Sequence, residues 1–312
     1  MINTGGYKTM KRAVCCALSA LLLLLGQFAV SACAEITPLP LDDDTVYGCE
    51  LREDAFLSET EYRDDSIHAV VEVFEYGGVE CIQVTIRVVD PSQIRTTKST
   101  ARFDDHEMVK ATLMSKKANA VVAINGDFFK HHAFGYTIRQ CQEVRKRLID
   151  QASAKYDVLM IDNMGDFHVV KTATAESAQA LEDEIRAGGR FVVNSFTFGP
   201  VLVQDGVRQD FNQKLWQAYG KAQRIAIAQA DELTYMVFQC DGATEDKTGL
   251  TMNEFADMIV SRCDHIRVAY NLDGGGSTNV IFGSEKINDN RDVRQICDIL
   301  YFASIDNQED SE

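Results

Sequence analysis

The stretch 67–89, IHAVVEVFEYGGVECIQVTIRVV, sets the reading of the fold. β-Branched and aromatic residues recur on both sides of Gly77-Gly78, and a glycine pair between two such runs marks a hairpin. The pattern predicts strands over 67–76 and 80–89. A second hairpin is read over 157–161 and 167–171, turning at Asn163-Met164-Gly165-Asp166. Further short strands are read at 120–124, 224–228, 233–240, 266–272, 280–282 and 298–302. Helical spacing is read over 105–118, with Met108, Ala111, Met114 and Ala118 on one face, and over 175–186, ended by Gly188-Gly189. A third helix starts at the capping residue Thr251 and runs to about Cys263. Hairpins mixed with helices predict an α+β fold: a single domain with a mixed, largely antiparallel sheet flanked by helices.

The ends of the chain bear on where it works. Lys8, Lys11 and Arg12 precede an apolar run over 13–30 that contains Leu21 to Leu25, and small residues follow. This is the pattern of a secretory signal peptide, read as residues 1–32. Ala32-Cys33-Ala34 suits cleavage before Glu35. Val30-Ser31-Ala32-Cys33 equally suits a lipobox that would leave a lipid on Cys33. The protein is therefore expected to be secreted or lipid-anchored on the outer face of the cell membrane, touching the membrane only through that anchor. Residues 33–65 read as an irregular lead-in or stalk, 66–303 as the folded domain and 304–312 as an acidic tail. The formal charge is −16. Loss of residues 1–32 removes Lys8, Lys11 and Arg12 and no acid, moving it to −19. So acidic a chain is no match for nucleic acid, which needs a basic surface. Cys49, Cys81, Cys141, Cys240, Cys263 and Cys297 lie beyond both cleavage sites. Export permits disulfides, and the sequence does not choose the pairing. No two lie at CxxC spacing, which argues against structural zinc.

In four segments an apolar strand runs into glycine together with Asp or Asn. They are AINGDFF (123–129), FGPVLVQDG (198–206), VFQCDG (237–242) and NLDGGGST (271–278). Such strand ends bring polar groups to one rim of a sheet, where concave sites are built. The triple glycine is the sharpest of them. Glycine lets backbone approach a ligand closely, and successive N–H groups can form an anion nest. The alternative is a tight turn capped by Asp273. No Lys follows the glycines, which excludes a P-loop. No helix clearly follows them, which argues against a dinucleotide fingerprint.

With Gly135-Tyr136-Thr137-Ile138-Arg139, Gln223 to Ile227, Thr248 to Thr251 and Arg294 to Ile299 added, the order and spacing of these segments resemble the phosphodiester glycosidase domain family. The resemblance spans 67–302. It implies cleavage between a sugar's anomeric carbon and phosphate, in a sugar phosphodiester or phosphorylated glycan. Three positions depart from the family pattern: Arg224-Ile225-Ala226-Ile227-Ala228 lacks a Thr and a Gly, Ala243 replaces an Arg, and Cys141 replaces a Gly. The lost Arg keeps open a second reading, a non-catalytic glycan-binding protein, and a third, an accessory factor in exopolysaccharide assembly.

Glycosyl transfer to water commonly uses carboxylates, and Asp273, Asp241 and Asp127 are the candidates. Asp273 is read as nucleophile or base and Asp241 as its partner. Arg224 is the candidate phosphate clamp, because guanidinium grips phosphate oxygens bidentately; a surface strand arginine paired with an acid is the alternative. The N–H groups of Gly274, Gly275 and Gly276 and the Ser277 hydroxyl would complete the clamp. Asn125 and Gly126 would face the sugar or orient an Asp. The sequence makes no cofactor certain; calcium or magnesium held by Asp127, Asp241 and Asp273 stays open and is compatible with catalysis. Trp216, with Phe211 and Tyr219, reads either as a sugar-stacking platform or as a packing cluster.

Overall fold

The computed structural model describes residues 48–99, 107–127, 134–147, 156–211, 220–242, 249–289 and 293–305. All of them lie in one compact unit, Pro38–Glu312. The leader, the lipobox, Trp216, Tyr219 and Ala243 fall outside the described residues.

The hairpin forms as read, with strands at Ile67–Tyr76 and Val79–Val88 about the Gly77-Gly78 turn, but it does not open the domain: Phe56–Ser58 and Glu61–Arg63 pair ahead of it in the same sheet, so the stretch expected as an irregular lead-in carries two paired strands. The strands assemble into three sheets rather than one, and every described pairing is antiparallel. The largest sheet runs β1 (Phe56–Ser58), β2 (Glu61–Arg63), β3 (Ile67–Tyr76), β4 (Val79–Val88), β15 (Thr234–Cys240), β14 (Arg224–Asp231), β16 (Val268–Asn271), β12 (Val201–Gln204) and β13 (Val207–Arg208). A second has the order β10 (Phe167–Val170), β9 (Asp157–Asp162), β11 (Val192–Phe198), β7 (Gly135–Arg139) and β8 (Gln142–Arg147). A third has the order β18 (Glu285–Lys286), β17 (Val280–Phe282), β6 (Ala120–Asn125), β19 (Asp298–Ala303) and β5 (Ile94–Lys98).

One apolar core joins all three sheets. It takes Val84 and Ile86 from β4, Ile225 and Ile227 from β14, Val122 and Ile124 from β6, and Leu159 and Phe196 from β9 and β11. The opposite face of each sheet is covered by one described helix. α1 (Ala111–Lys117) packs Met114 against Ala123 and Ile299, and α2 (Ala175–Ala187) packs Ala178 and Ile185 against Val158 and Met160. α3 (Met252–Arg262) packs Phe255 and Ile259 against Ala226, Ala228 and Phe238. The period of two explains β14: isoleucines face the central core, while small alanines face α3 and let it sit close.

Two helix readings are sharpened. Thr251 caps α3 as expected, accepting from Glu254 N–H at 3.2 Å while Glu254 accepts from Thr251 N–H at 2.8 Å. The helix expected over 105–118 is shorter: residues 105–106 are not described, and α1 begins at Ala111. Val109 is held instead in a β-bridge to Ile296, with N···O distances of 2.9 and 3.0 Å, so its backbone cannot join a helix.

Candidate active site

Strand ends from all three sheets converge on the glycine run. Leu272 N–H donates to Ile225 O at 2.9 Å and Gly275 N–H to Gln223 O at 3.1 Å, which presses the loop after β16 onto the start of β14. A Cβ on Gly274 would stand 2.6 Å from Gln223 O, so only glycine fits this approach. Gly199 N–H donates to Asn271 O, and Asn271 Nδ2 returns a bond to Gly199 O at 2.8 Å. The peptide Gly199-Pro200 is cis. From the third sheet, buried Asn125 donates to Asp273 O at 2.8 Å and to Gly126 O at 3.1 Å, and accepts from Asn279 N–H at 3.0 Å. Asn125 therefore clamps both sides of the 273–279 loop, which favours the expectation that it orients an Asp, through the Asp273 backbone, over the one that it faces a sugar. Asn125→Ala would strand two buried backbone groups and is expected to destabilise the fold by about 2–4 kcal/mol, seen as a lower Tm.

Beside this junction is a cavity of about 490 Å³. Asp273 is the one carboxylate among the described residues that line it, with Arg224, Lys221 and Arg294 as cations and Tyr156, Phe198, Pro200, Leu272 and Met252 as apolar wall. The Asp273 side chain is 14 % exposed. Burial pushes its carboxyl up from 3.8 to about 6, against the opposing pull of the Ser277 hydroxyl, Arg294 and the Gly274 amide; nearby Asp127 adds to the rise. Arg294 Nη1 stands 3.9 Å from Asp273 Oδ2 and donates to Ser277 Oγ at 3.1 Å. Arg224 is only 8 % exposed, which removes the reading of a surface strand residue. Its Nε donates to Leu250 O at 3.0 Å and its Nη2 to Gly220 O at 2.7 Å. These carbonyls fix the guanidinium plane without neutralising its charge. Lys221 reaches Glu254 at 3.7 Å from an exposed position.

Of the other sequence candidates, Gly274 and Gly275 also line the cavity, whereas Asp241, Asp127, Asn125 and Gly126 do not. Gly275 N–H is used by Gln223 O, and the Gly274 amide serves Asp273. The run Gly275–Ser277 is a 3-10 turn rather than an open anion nest. Asp241 is buried, accepts from Gln239 Nε2 at 2.8 Å and does not line the cavity. Asp127 is committed to a buried ionic cluster. One of its oxygens takes Arg139 Nη2 at 3.0 Å and the other takes Thr197 N–H at 2.8 Å. Arg139 is wholly buried, stacks 4.2 Å over the Phe196 ring centre and donates to Asp298 at 2.8 and 3.1 Å and to Ser195 O. Burial lowers the Arg139 pKa, but Asp127 and Asp298 more than offset it. Burial holds the Asp298 carboxyl above its usual range despite Arg139. Gly126 belongs to this cluster and not to a substrate surface, since a Cβ there would meet Asp298 Oδ2 at 2.4 Å. The three aspartates do not form a cation cage, and among the described residues no group of three or more His, Cys, Asp or Glu is placed to hold a metal ion.

A family model for phosphodiester glycosidase matches residues 118–303, more than half of the chain and every described segment of this site. The chain belongs to the phosphodiester glycosidase family. Its fold is similar to the catalytic domain of zebrafish N-acetylglucosamine-1-phosphodiester alpha-N-acetylglucosaminidase, described as auto-inhibited by its pro-peptide. The TM-score is 0.56 at 16 % identity, over 82 % of this chain and 87 % of that one. A hypothetical protein from Synechocystis matches with a TM-score of 0.48 at 13 % identity, over 76 % of this chain and 62 % of that one. No curated protein sequence matches significantly. Among the cavity residues that sequence reasoning left without a role are Tyr156, Lys221, Arg294 and Gln223. Arg294 and Gln223 sit in segments that carried the resemblance. Tyr156 and Lys221 carry no local pattern that marks them.

Proposed function

We propose that the chain is an exported hydrolase that cleaves the bond between a sugar's anomeric carbon and phosphate in a sugar phosphodiester of a glycan. One observation carries the reading: the raised carboxyl of Asp273 shares a cavity of about 490 Å³ with three cations. A phosphodiester needs cations for its charge, and Arg224, Lys221 and Arg294 supply them by charge-assisted hydrogen bonds. The sugar packs on Tyr156, Phe198 and Pro200, whose flat faces suit a pyranose ring. Asp273 attacks the anomeric carbon directly or deprotonates the water that does. The departing phosphate is a good leaving group, so its charge is met by the cations and a separate acid is not required. The leader at residues 1–32 supports export, by secretion or by a lipid on Cys33.

In this reaction Asp273 acts ionised. The value of kcat/KM is therefore expected to be low below about pH 6 and to rise to a plateau above it. Arg224→Ala is expected to lower kcat/KM by about a hundredfold or more on a sugar-1-phosphodiester, with Arg224→Lys recovering only part of the loss. Unchanged kcat/KM in Arg224→Ala would remove the clamp from the mechanism.

A further inference from the structure

Cys81 and Cys240 stand directly opposite each other on the neighbouring antiparallel strands β4 and β15. Asp241 N–H donates to Glu80 O at 2.9 Å. That bond joins the residue after Cys240 to the residue before Cys81, which makes the cysteines a non-hydrogen-bonded pair. In such a pair the Cα atoms lie about 4.5 Å apart and the side chains leave the same face of the sheet. A disulfide accepts Cα separations of roughly 4.4–6.8 Å, so no backbone movement is needed. Both side chains are fully buried in the same apolar cluster, beside Val79, Phe238 and Leu250. Both are thiols here; Cys81 donates to Val79 O at 3.5 Å and Cys240 to Ala222 O at 3.7 Å. Among the described strand ladders no other two cysteines face each other.

We propose that Cys81 and Cys240 close to a cross-strand disulfide. The oxidant is a second disulfide, of an exchange protein or of oxidised glutathione. A thiolate of one cysteine attacks it, forming a mixed disulfide and expelling one thiolate. The second cysteine's thiolate then attacks the first cysteine's sulfur, closing the Cys81–Cys240 bond and releasing the other thiolate. The two cysteines lose two electrons and two protons in all, and the partner disulfide becomes two thiols. Burial pushes both thiols up to about 12, so thiolate is scarce once the sheet has formed. The bond therefore forms while the chain folds, before α3 covers the pair.

The tie would brace the cavity wall. Cys240 is the register partner of Arg224, on the strand next to β4, and the two lie on the same face of the sheet. The inference does not depend on the hydrolase reading, because register and burial alone carry it.

The test is to refold the reduced, denatured chain in a mixture of reduced and oxidised glutathione, denature it, alkylate remaining thiols, and map its peptides without reduction. A peptide carrying Cys81 joined to one carrying Cys240 is expected, with Tm falling by roughly 5–15 °C on reduction. The fall should vanish in the Cys81→Ala, Cys240→Ala double variant. Recovery of both cysteines alkylated, or of either joined to a different cysteine, would overturn the proposal, and so would a reduction-dependent Tm shift that survives in the double variant.

Discussion

Asp273→Asn is expected to abolish hydrolysis of a sugar-1-phosphodiester and, in the same protein, to raise Tm. The loss follows from the proposed role, since an amide neither attacks the anomeric carbon nor accepts a proton from water; a fall of about a thousandfold or more in kcat is expected. The gain follows from burial. The folded-state carboxyl titrates at about 6 instead of 3.8, so the folded protein holds that proton more tightly than the unfolded chain. Stability therefore falls as pH rises from about 3.8 through about 6, and above that window the ionised group costs up to about 3 kcal/mol. The amide carries no such penalty. Thermal melts should show the variant close to wild type near pH 4 and several degrees above it at pH 7. A variant that loses activity and also loses stability at pH 7 would mean that Asp273 is held in place as a structural group.

Arg139→Met is expected to destabilise the domain strongly. It removes the cation from between Asp127 and Asp298, both buried, and leaves two acidic groups facing each other without it. Breaking a buried ion pair from one side costs about 3–5 kcal/mol, which for a domain of this size is roughly 10 °C or more in Tm. Asp298→Asn should be far milder, because the carboxyl already resists ionisation and an amide can still accept from Arg139. Equal Tm losses in the two variants would contradict this division of roles. The cluster also carries the site: Asp127 fixes Thr197 N–H at the end of β11, next to the Phe198-Gly199-Pro200 wall.

The hairpin at Ile67–Val88 was legible because glycine turn and strand periodicity agree there. The capping box at Thr251-Glu254 was legible for the same reason: its chemistry is local. The division into three sheets was not, because period two says which face of a strand is apolar and not which strand lies beside it. β7 and β11 escaped notice because serine, threonine and asparagine interrupt their apolar runs. Those residues bond across the ladder, as Ser195 does to Tyr136 O and Thr197 to Tyr136 N–H. At the site, the placement of Asp273 and Arg224 on one cavity was legible from segments whose order matched a family. Asp127, Asp241 and Gly126 were expected on the cavity and lie off it, because polar residues at a strand end look alike whether they face a ligand or an internal partner; Asn125 does hold an Asp, through the Asp273 backbone. One signal was present: Arg139 closes the strand Gly135–Arg139, and Asp298 opens an apolar strand. A cation and an acid so placed call for each other in the interior.

The most direct measurement is release of reducing sugar from a panel of sugar-1-phosphodiesters by the mature chain, run beside Asp273→Asn and Arg224→Ala. Turnover by the wild type that rises through about pH 6 and is lost in Asp273→Asn, with a large fall in Arg224→Ala, is the predicted result. Tight binding of the phosphodiesters without release of sugar, or turnover that persists in Asp273→Asn, would contradict it.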